Sequence, residues 1–356
     1  MSKSFLRLAL VMVGCLGLAQ AQLSYRGEIA ISAGWGLSYV KVPQFDLDDA
    51  GQPTQVGESW LGFDQFSLGL DGHLELEYQA DERLEGLSGH VVLDPSSSFD
   101  GGNEPSLDAG LTEAYLLYRR GSVDVSGGLE RLPLETARLN VPFSIAVKDP
   151  TRLSLDPKGF FQGIWGARLS WFSDSVRLRA AGFYKDESFG AALSARAFFG
   201  DFELEAHAVY DKNLNFGLGG SGLLGDIVIY GEGWFLLNRS VTIDEIESQR
   251  NEILASLGAT GYLGDGIWTL EGAYLPSLIS SDAHPQLAGQ LSFPYGESGN
   301  WSLDLRALFV SEGAAGGFAL SYTEALADRN VTLSLSSQLS DRALALGLGA
   351  KVTGFF

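Results

Sequence analysis

Residues 25–39 read YRGEIAISAGWGLSY, and their side chains fall into two sets that alternate without a break. One set is Tyr25, Gly27, Ile29, Ile31, Ala33, Trp35, Leu37 and Tyr39. The other is Arg26, Glu28, Ala30, Ser32, Gly34, Gly36 and Ser38. A period of two puts successive side chains on opposite faces of a β-strand, whereas a helix groups them three or four apart. The segment therefore presents one apolar face with aromatics near both ends, backed by a face of small and polar groups. Such a strand is long for a water-soluble protein, where about five or six residues are usual.

The same pattern recurs. Phe66, Leu68, Leu70, Leu74, Leu76 and Tyr78 alternate with Ser67, Asp71, His73, Glu75 and Glu77. Phe202, Leu204, Ala206, Ala208 and Tyr210 alternate with Glu203, Glu205 and His207, and Trp301 to Phe309 alternates likewise with Ser302, Asp304 and Arg306. A β-sandwich would alternate too, with its apolar face inward. The long strands, the aromatics at strand ends and the Gly/Ala/Ser and charged second face instead describe lipid outside and a crowded wet lumen inside. Hydrocarbon leaves no partner for a free strand edge, so the sheet must close. The fold class expected is all-β, a transmembrane antiparallel up-and-down barrel.

Composition agrees with this reading. The 356 residues include 45 glycines and only 19% charged residues, yet the net charge is −20. Acidity of that size excludes nucleic acid as a partner, because phosphate backbones select basic surfaces. At the N-terminus Lys3 and Arg7 precede the apolar run Leu8–Leu18, and Ala19-Gln20-Ala21 offers a small-x-small cleavage site. Residues 1–21 are expected to be a cleaved secretory signal peptide, leaving 22–356 as one barrel domain. The single cysteine, Cys15, lies in the leader, so the mature chain has neither disulfides nor a Cys-based metal site.

Alternation and turn signals divide the chain into 18 segments: 23–40, 64–80, 83–93, 109–119, 122–130, 159–172, 175–185, 188–199, 202–211, 213–224, 227–238, 251–263, 267–278, 286–296, 300–311, 316–326, 330–339 and 342–356. Sixteen strands result if one short hairpin is a loop. The long connections 41–63, 94–108, 131–158, 239–250 and 279–285 all fall at odd positions, which are external when both mature termini face the periplasm. Short Ser173-Asp174, Gly200-Asp201, Gly225-Asp226 and Gly264-Asp265 fall on the other side and have two-residue hairpin composition.

Ala343–Phe356 reads ALALGLGAKVTGFF, with Leu344, Leu346, Leu348, Ala350, Val352 and Phe356 on the lipid face and Lys351 and Thr353 inward. A terminal Phe on such a strand resembles the C-terminal assembly signal of bacterial outer-membrane barrels. Gly354 departs from it, standing where that signal often has a large residue. Over the whole mature chain the pattern resembles the porin group. The resemblance implies residence in the outer membrane, delivery by the outer-membrane assembly machinery, possible homotrimers, and passive diffusion of small hydrophilic or charged solutes. It also implies that the loop after the fifth strand, here 131–158, folds inward as a constriction. That loop mixes charges with apolar Leu139, Val141, Phe143 and Ile145. A plugged structural or adhesive barrel that binds a partner through its external loops is the alternative.

Tight turns also give register. Two-residue loops at 173–174, 186–187 and 200–201 would set Arg168 opposite Arg179, Arg177 opposite Arg196, and Arg196 opposite Glu205. The lumen would then carry a basic patch of Arg168, Arg177, Arg179 and Arg196. This patch faces either an anionic solute or an internal salt-bridge network with Glu203 and Glu205. Asp71, Glu75, Glu77, Asp124 and Glu130 are expected to form an acidic wall opposite. His73 and His207 belong to the lumen face, while His90 and His284 fall near loops without an evident partner. No nucleophile motif, spaced His pair or Ca²⁺ loop is present, so no enzyme, cofactor or metal site is expected.

Overall fold

The computed structural model describes residues 22–47, 53–80, 85–100, 106–130, 132, 163–185, 187–243, 246–276, 283–310, 313–327, 329–340 and 343–355. The expected signal peptide, most of segment 131–158 and Phe356 lie outside them. Among the described residues there are 18 strands. They are β1 (Gln22–Leu47), β2 (Pro53–Gln79), β3 (Leu87–Asp100), β4 (Ser106–Arg120), β5 (Val123–Glu130), β6 (Ile164–Phe172), β7 (Val176–Lys185), β8 (Ser188–Phe199) and β9 (Phe202–Asp211). The second half comprises β10 (Asn213–Leu224), β11 (Ile227–Ile243), β12 (Ile246–Leu263), β13 (Gly266–Pro276), β14 (Ala283–Tyr295), β15 (Gly299–Val310), β16 (Gly313–Leu326), β17 (Arg329–Ser340) and β18 (Ala343–Phe355).

Each strand pairs antiparallel with its sequence neighbour, and β18 pairs with β1 from Glu28↔Phe355 to Val40↔Ala343. That last pairing closes the sheet, so every strand has a partner on both sides. Eighteen strands is the count expected from the alternation, and sixteen is excluded. The Gly200-Asp201, Gly225-Asp226 and Gly264-Asp265 turns are two-residue loops, and Gly200 and Gly225 have φ of 60° and 62°. A glycine of positive φ in the first loop position is the type II′ hairpin, whose twist matches that of the flanking strands.

The registers carry one set of side chains around the whole ring: Ser32 sits opposite Lys351, Ala30 opposite Asp71, and Arg196 between Arg177 and Glu205. The other set is apolar and uncovered. Ile31, Leu193, Leu218 and Leu257 are each more than 60% exposed. In water such a surface would be strongly unfavourable, at roughly 25 cal/mol per Å² of apolar area. Against acyl chains that cost vanishes, so the same face marks the band that lipid covers.

Three of the connections expected to be loops are largely strand. β1 and β2 run to Leu47 and from Pro53, β3 and β4 to Asp100 and from Ser106, and β11 and β12 to Ile243 and from Ile246. Beyond the bilayer both faces of a hairpin meet water. The hydrogen-bond ladder continues there while the apolar alternation that reveals a strand in sequence is lost.

Leu335 and Ser334 are neighbours on β17 and point to opposite faces: Leu335 pairs with Leu320 and Leu348, Ser334 with Ser321 and Gly349. Leu335→Arg should lower unfolding stability in lipid vesicles by about 2–4 kcal/mol. Ser334→Arg should cost less than about 1 kcal/mol, because its side chain reaches the polar interior. Guanidinium titrations of the two variants give this comparison directly; equal costs would contradict the assignment of faces.

Candidate pore lining

Arg168 on β6, Arg177 and Arg179 on β7 and Arg196 on β8 all project from the inner face of the sheet. One of the expected pairings is corrected. The β6–β7 turn is longer than two residues, with Phe172 opposite Arg177, so Arg168 faces Ala181 and Arg179 faces Ser170. Ser173 closes this turn: its N–H donates to the Val176 carbonyl at 2.8 Å, and its Oγ accepts from the Val176 N–H at 3.0 Å. The side-chain hydroxyl competes as a turn former, and the shift of two residues leaves every arginine on the inner side. Arg177 opposite Arg196, and Arg196 opposite Glu205, stand as expected.

Like charges placed opposite each other destabilise a sheet unless they are relieved. Arg196 donates through Nη2 to Glu205 and lies 3.5 Å from Glu203, which also accepts from Ser221 at 3.0 Å. Arg168 lies 3.4 Å from Glu130, whose carboxylate accepts from the Ser126 hydroxyl at 3.0 and 2.8 Å. Arg177 is treated differently. Its guanidinium sits 4.8 Å above the Phe172 ring, and its Nε has no hydrogen-bond partner among the described residues.

The acidic residues do not form an opposite wall. β5, which bears Asp124 and Glu130, is the immediate neighbour of β6. Arg119 on β4 grips Asp124 at 2.9 and 3.0 Å, and Arg26 on β1 pairs with Glu75 on β2. Asp71, Glu75 and Glu77 follow along β2, with Asp71 opposite Ala30 and Glu77 opposite Ser24. Half-way around the ring from β7 the wall carries hydroxyls instead: Ser321 and Thr323 on β16, and Thr332, Ser334 and Ser336 on β17. Thr323 and Thr332 share a hydrogen bond of 2.9 Å. Acid flanks base along one side, and neutral polar groups face them across the lumen.

The interior is not wet throughout. Leu132, Ile164, Phe183, Val209, Trp234 and Leu254 form a buried apolar cluster on the inner face between β5 and β12. Trp234 lies flat on Gly217, where an added Cβ would meet the indole at 2.7–2.8 Å, and Tyr230 covers Gly258 in the same way. The Trp234 Nε1–H donates to Glu232 at 3.0 Å, the Tyr230 hydroxyl donates to Glu271 at 3.0 Å, and His207 stacks on Trp234 with centroids 5.3 Å apart. This sector was missed from sequence. Counting inward positions by parity from each tight turn would have found Tyr230, Glu232 and Trp234, but not that their neighbours bury them.

No protein-family model and no curated protein sequence matches the chain. Solved structures do match it. Pseudomonas aeruginosa OpdQ superposes with a TM-score of 0.57 at 9% identity, covering 94% of this chain and 99% of that one. OccK2 (OpdF) of the same organism, solved in complex with glucuronate, gives 0.56 at 10% identity over 93% and 98%. OpdK with vanillate, also from that organism, gives 0.57 at 9% identity over 94% and 98%. The fold is that of the outer-membrane porins. Identity this low carries the architecture and not its side chains, so the lining of this barrel rests on its own geometry.

Glu205 is 5% exposed. Removing its guanidinium partner would leave a buried carboxylate uncompensated, so Arg196→Ala should cost about 3 kcal/mol or more in a guanidinium titration. Adding Glu205→Gln to that variant should restore part of the loss. A double variant no more stable than the single one would mean that Arg196 does not neutralise Glu205.

Proposed function

We propose that the chain is a porin of the bacterial outer membrane that passes small hydrophilic solutes by diffusion, with a preference for anions. Arg168, Arg177, Arg179 and Arg196 form the basic strip of its lumen; Asp71, Glu75, Glu77, Asp124, Glu130, Glu203 and Glu205 line the sectors beside it. The observation that carries the preference is Arg177, which faces the interior over an aromatic ring instead of a carboxylate. A guanidinium in that setting is open to a passing carboxylate, which it can hold by paired hydrogen bonds. Glucuronate and vanillate, present with two of the structural neighbours, are both carboxylates. An 18-strand barrel leaves a lumen wide enough for a channel, and a strip of one sign in a low-dielectric wall raises the local concentration of counter-ions.

The inward loop 131–158 belongs to the same proposal. The described chain leaves at Leu132 and returns at Gly163, and the side chains of Leu132 and Ile164 belong to the apolar cluster of the inner wall. The segment between them carries Leu139, Val141, Phe143 and Ile145, which suit that surface. The same cluster favours a second reading, a barrel plugged at this level that serves adhesion. Recognition of Phe356 by the assembly machinery and homotrimer formation complete the proposal.

Planar-bilayer recordings separate the readings, since a porin gives open steps and a plugged barrel gives silence. In a KCl gradient, Arg177→Ala with Arg179→Ala should move the reversal potential toward that of a cation-selective pore. Arg168 is left in place because its loss would strand Glu130. An unchanged reversal potential would refute the role of the strip. Deleting 137–155 should raise single-channel conductance about twofold or more, by widening the narrowest section that ions cross; an unaltered conductance would remove the constriction.

A further inference from the structure

His90 lies near the start of β3 with its side chain inward, and it has the neighbours that the sequence did not reveal. It stands directly opposite Glu77 on β2 and Tyr115 on β4, and the next cross-strand row sets Val92 between Glu75 and Glu113. Two carboxylates therefore approach one side of the imidazole and a third approaches the other. Nδ1 is 3.7 Å from Glu75 Oε1 and 3.9 Å from Glu77 Oε1; Nε2 is 4.0 Å from Glu113 Oε2. The Tyr115 ring, centred 5.1 Å from the imidazole, holds it in this attitude.

These separations are too long for hydrogen bonds, which end near 3.2–3.5 Å. They are the right size for something else. A metal ion bound at about 2.0–2.2 Å by an imidazole nitrogen and two carboxylate oxygens holds those donors about 3.3–4 Å apart. One donor atom from each of Glu75, Glu77 and His90 lies within 4.8 Å of the other two. The charge is also suitable: Arg26 neutralises part of Glu75, yet three carboxylates surround a single imidazole. We propose that Glu75, Glu77 and His90 bind a divalent transition-metal ion on the lumen wall, with Glu113 orienting the far nitrogen of His90. The nitrogen donor selects Zn²⁺ and its first-row relatives over Ca²⁺ and Mg²⁺, which take all-oxygen shells. Three protein donors leave a coordination position open to the lumen, where water or a solute carboxylate can enter. The site stands whether or not the barrel conducts.

The test uses the full-length mature protein without a histidine tag, stripped with EDTA and kept in detergent micelles. Equilibrium dialysis against micromolar Zn²⁺ should load one ion per chain, and excess Ca²⁺ or Mg²⁺ should not displace it. His90→Ala and Glu77→Gln should each weaken Zn²⁺ binding at least tenfold, Glu113→Gln about tenfold, and His73→Ala and His207→Ala not at all. Co²⁺ in place of Zn²⁺ should show the visible absorption of a low-coordinate ion on the wild-type chain. If His90→Ala does not fold, as judged by heat-modifiable gel mobility, Glu77→Gln and the Co²⁺ spectrum decide. Absence of stoichiometric Zn²⁺, binding undiminished by Glu77→Gln or by folded His90→Ala, or ready displacement by Ca²⁺ would overturn the site.

Discussion

The β1–β18 pairing is the interaction on which everything else in this molecule depends. A backbone N–H or C=O that meets hydrocarbon without a partner costs several kcal/mol, and a free strand edge exposes a row of them. Thirteen residue pairs from Glu28↔Phe355 to Val40↔Ala343 remove that edge. Once the ring is closed, the alternation of each strand can mean only one thing. One set of side chains faces lipid, the other faces an enclosed space, and the registers keep the sets in phase from strand to strand.

Closure also fixes what the interior can be. The inner face has to fit charged, aromatic and small groups into a bounded volume, and it does so by sectors. The arginines of β6–β8 sit beside the carboxylates of β5 and β9, so most of the charge is compensated within one or two strands. On β11–β13 the rings of Tyr230 and Trp234 lie against glycines and bury Glu232 and Glu271 beneath a dry patch. The inward hydroxyls of β16 and β17 give a neutral polar sector, where Thr323 and Thr332 share a hydrogen bond. Arg177, over the Phe172 ring, and His90, 3.7–4.0 Å from three carboxylates, stand out from this pairing.

Strand number, inward faces and most tight turns were legible in the sequence for a local reason. Gly200-Asp201 and Gly225-Asp226 impose a hairpin, and the two-residue period then assigns each side chain to a face. The same logic placed Arg177 against Arg196 and Arg196 against Glu205 correctly. It failed at Ser173, where a hydroxyl capped a longer turn and moved Arg168 two positions along its partner strand. It failed again beyond the bilayer, where β1 and β2 continue as a ladder with no apolar stripe to announce it.

What the residue order alone determined is the barrel: alternation needs only neighbours along the chain, and hydrocarbon permits a single way to satisfy the backbone of such strands. What only the tertiary structure decided is which inward groups meet. Glu75, Glu77, His90 and Glu113 come from three strands, and their grouping depends on registers and on the shift between Val92 and Leu93. Whether an inward Trp, Val or Leu is wet or dry likewise depends on the side chains that neighbouring strands bring against it. Period and turn chemistry act over a few residues, whereas charge pairing depends on the register between strands and burial on side chains contributed by several of them.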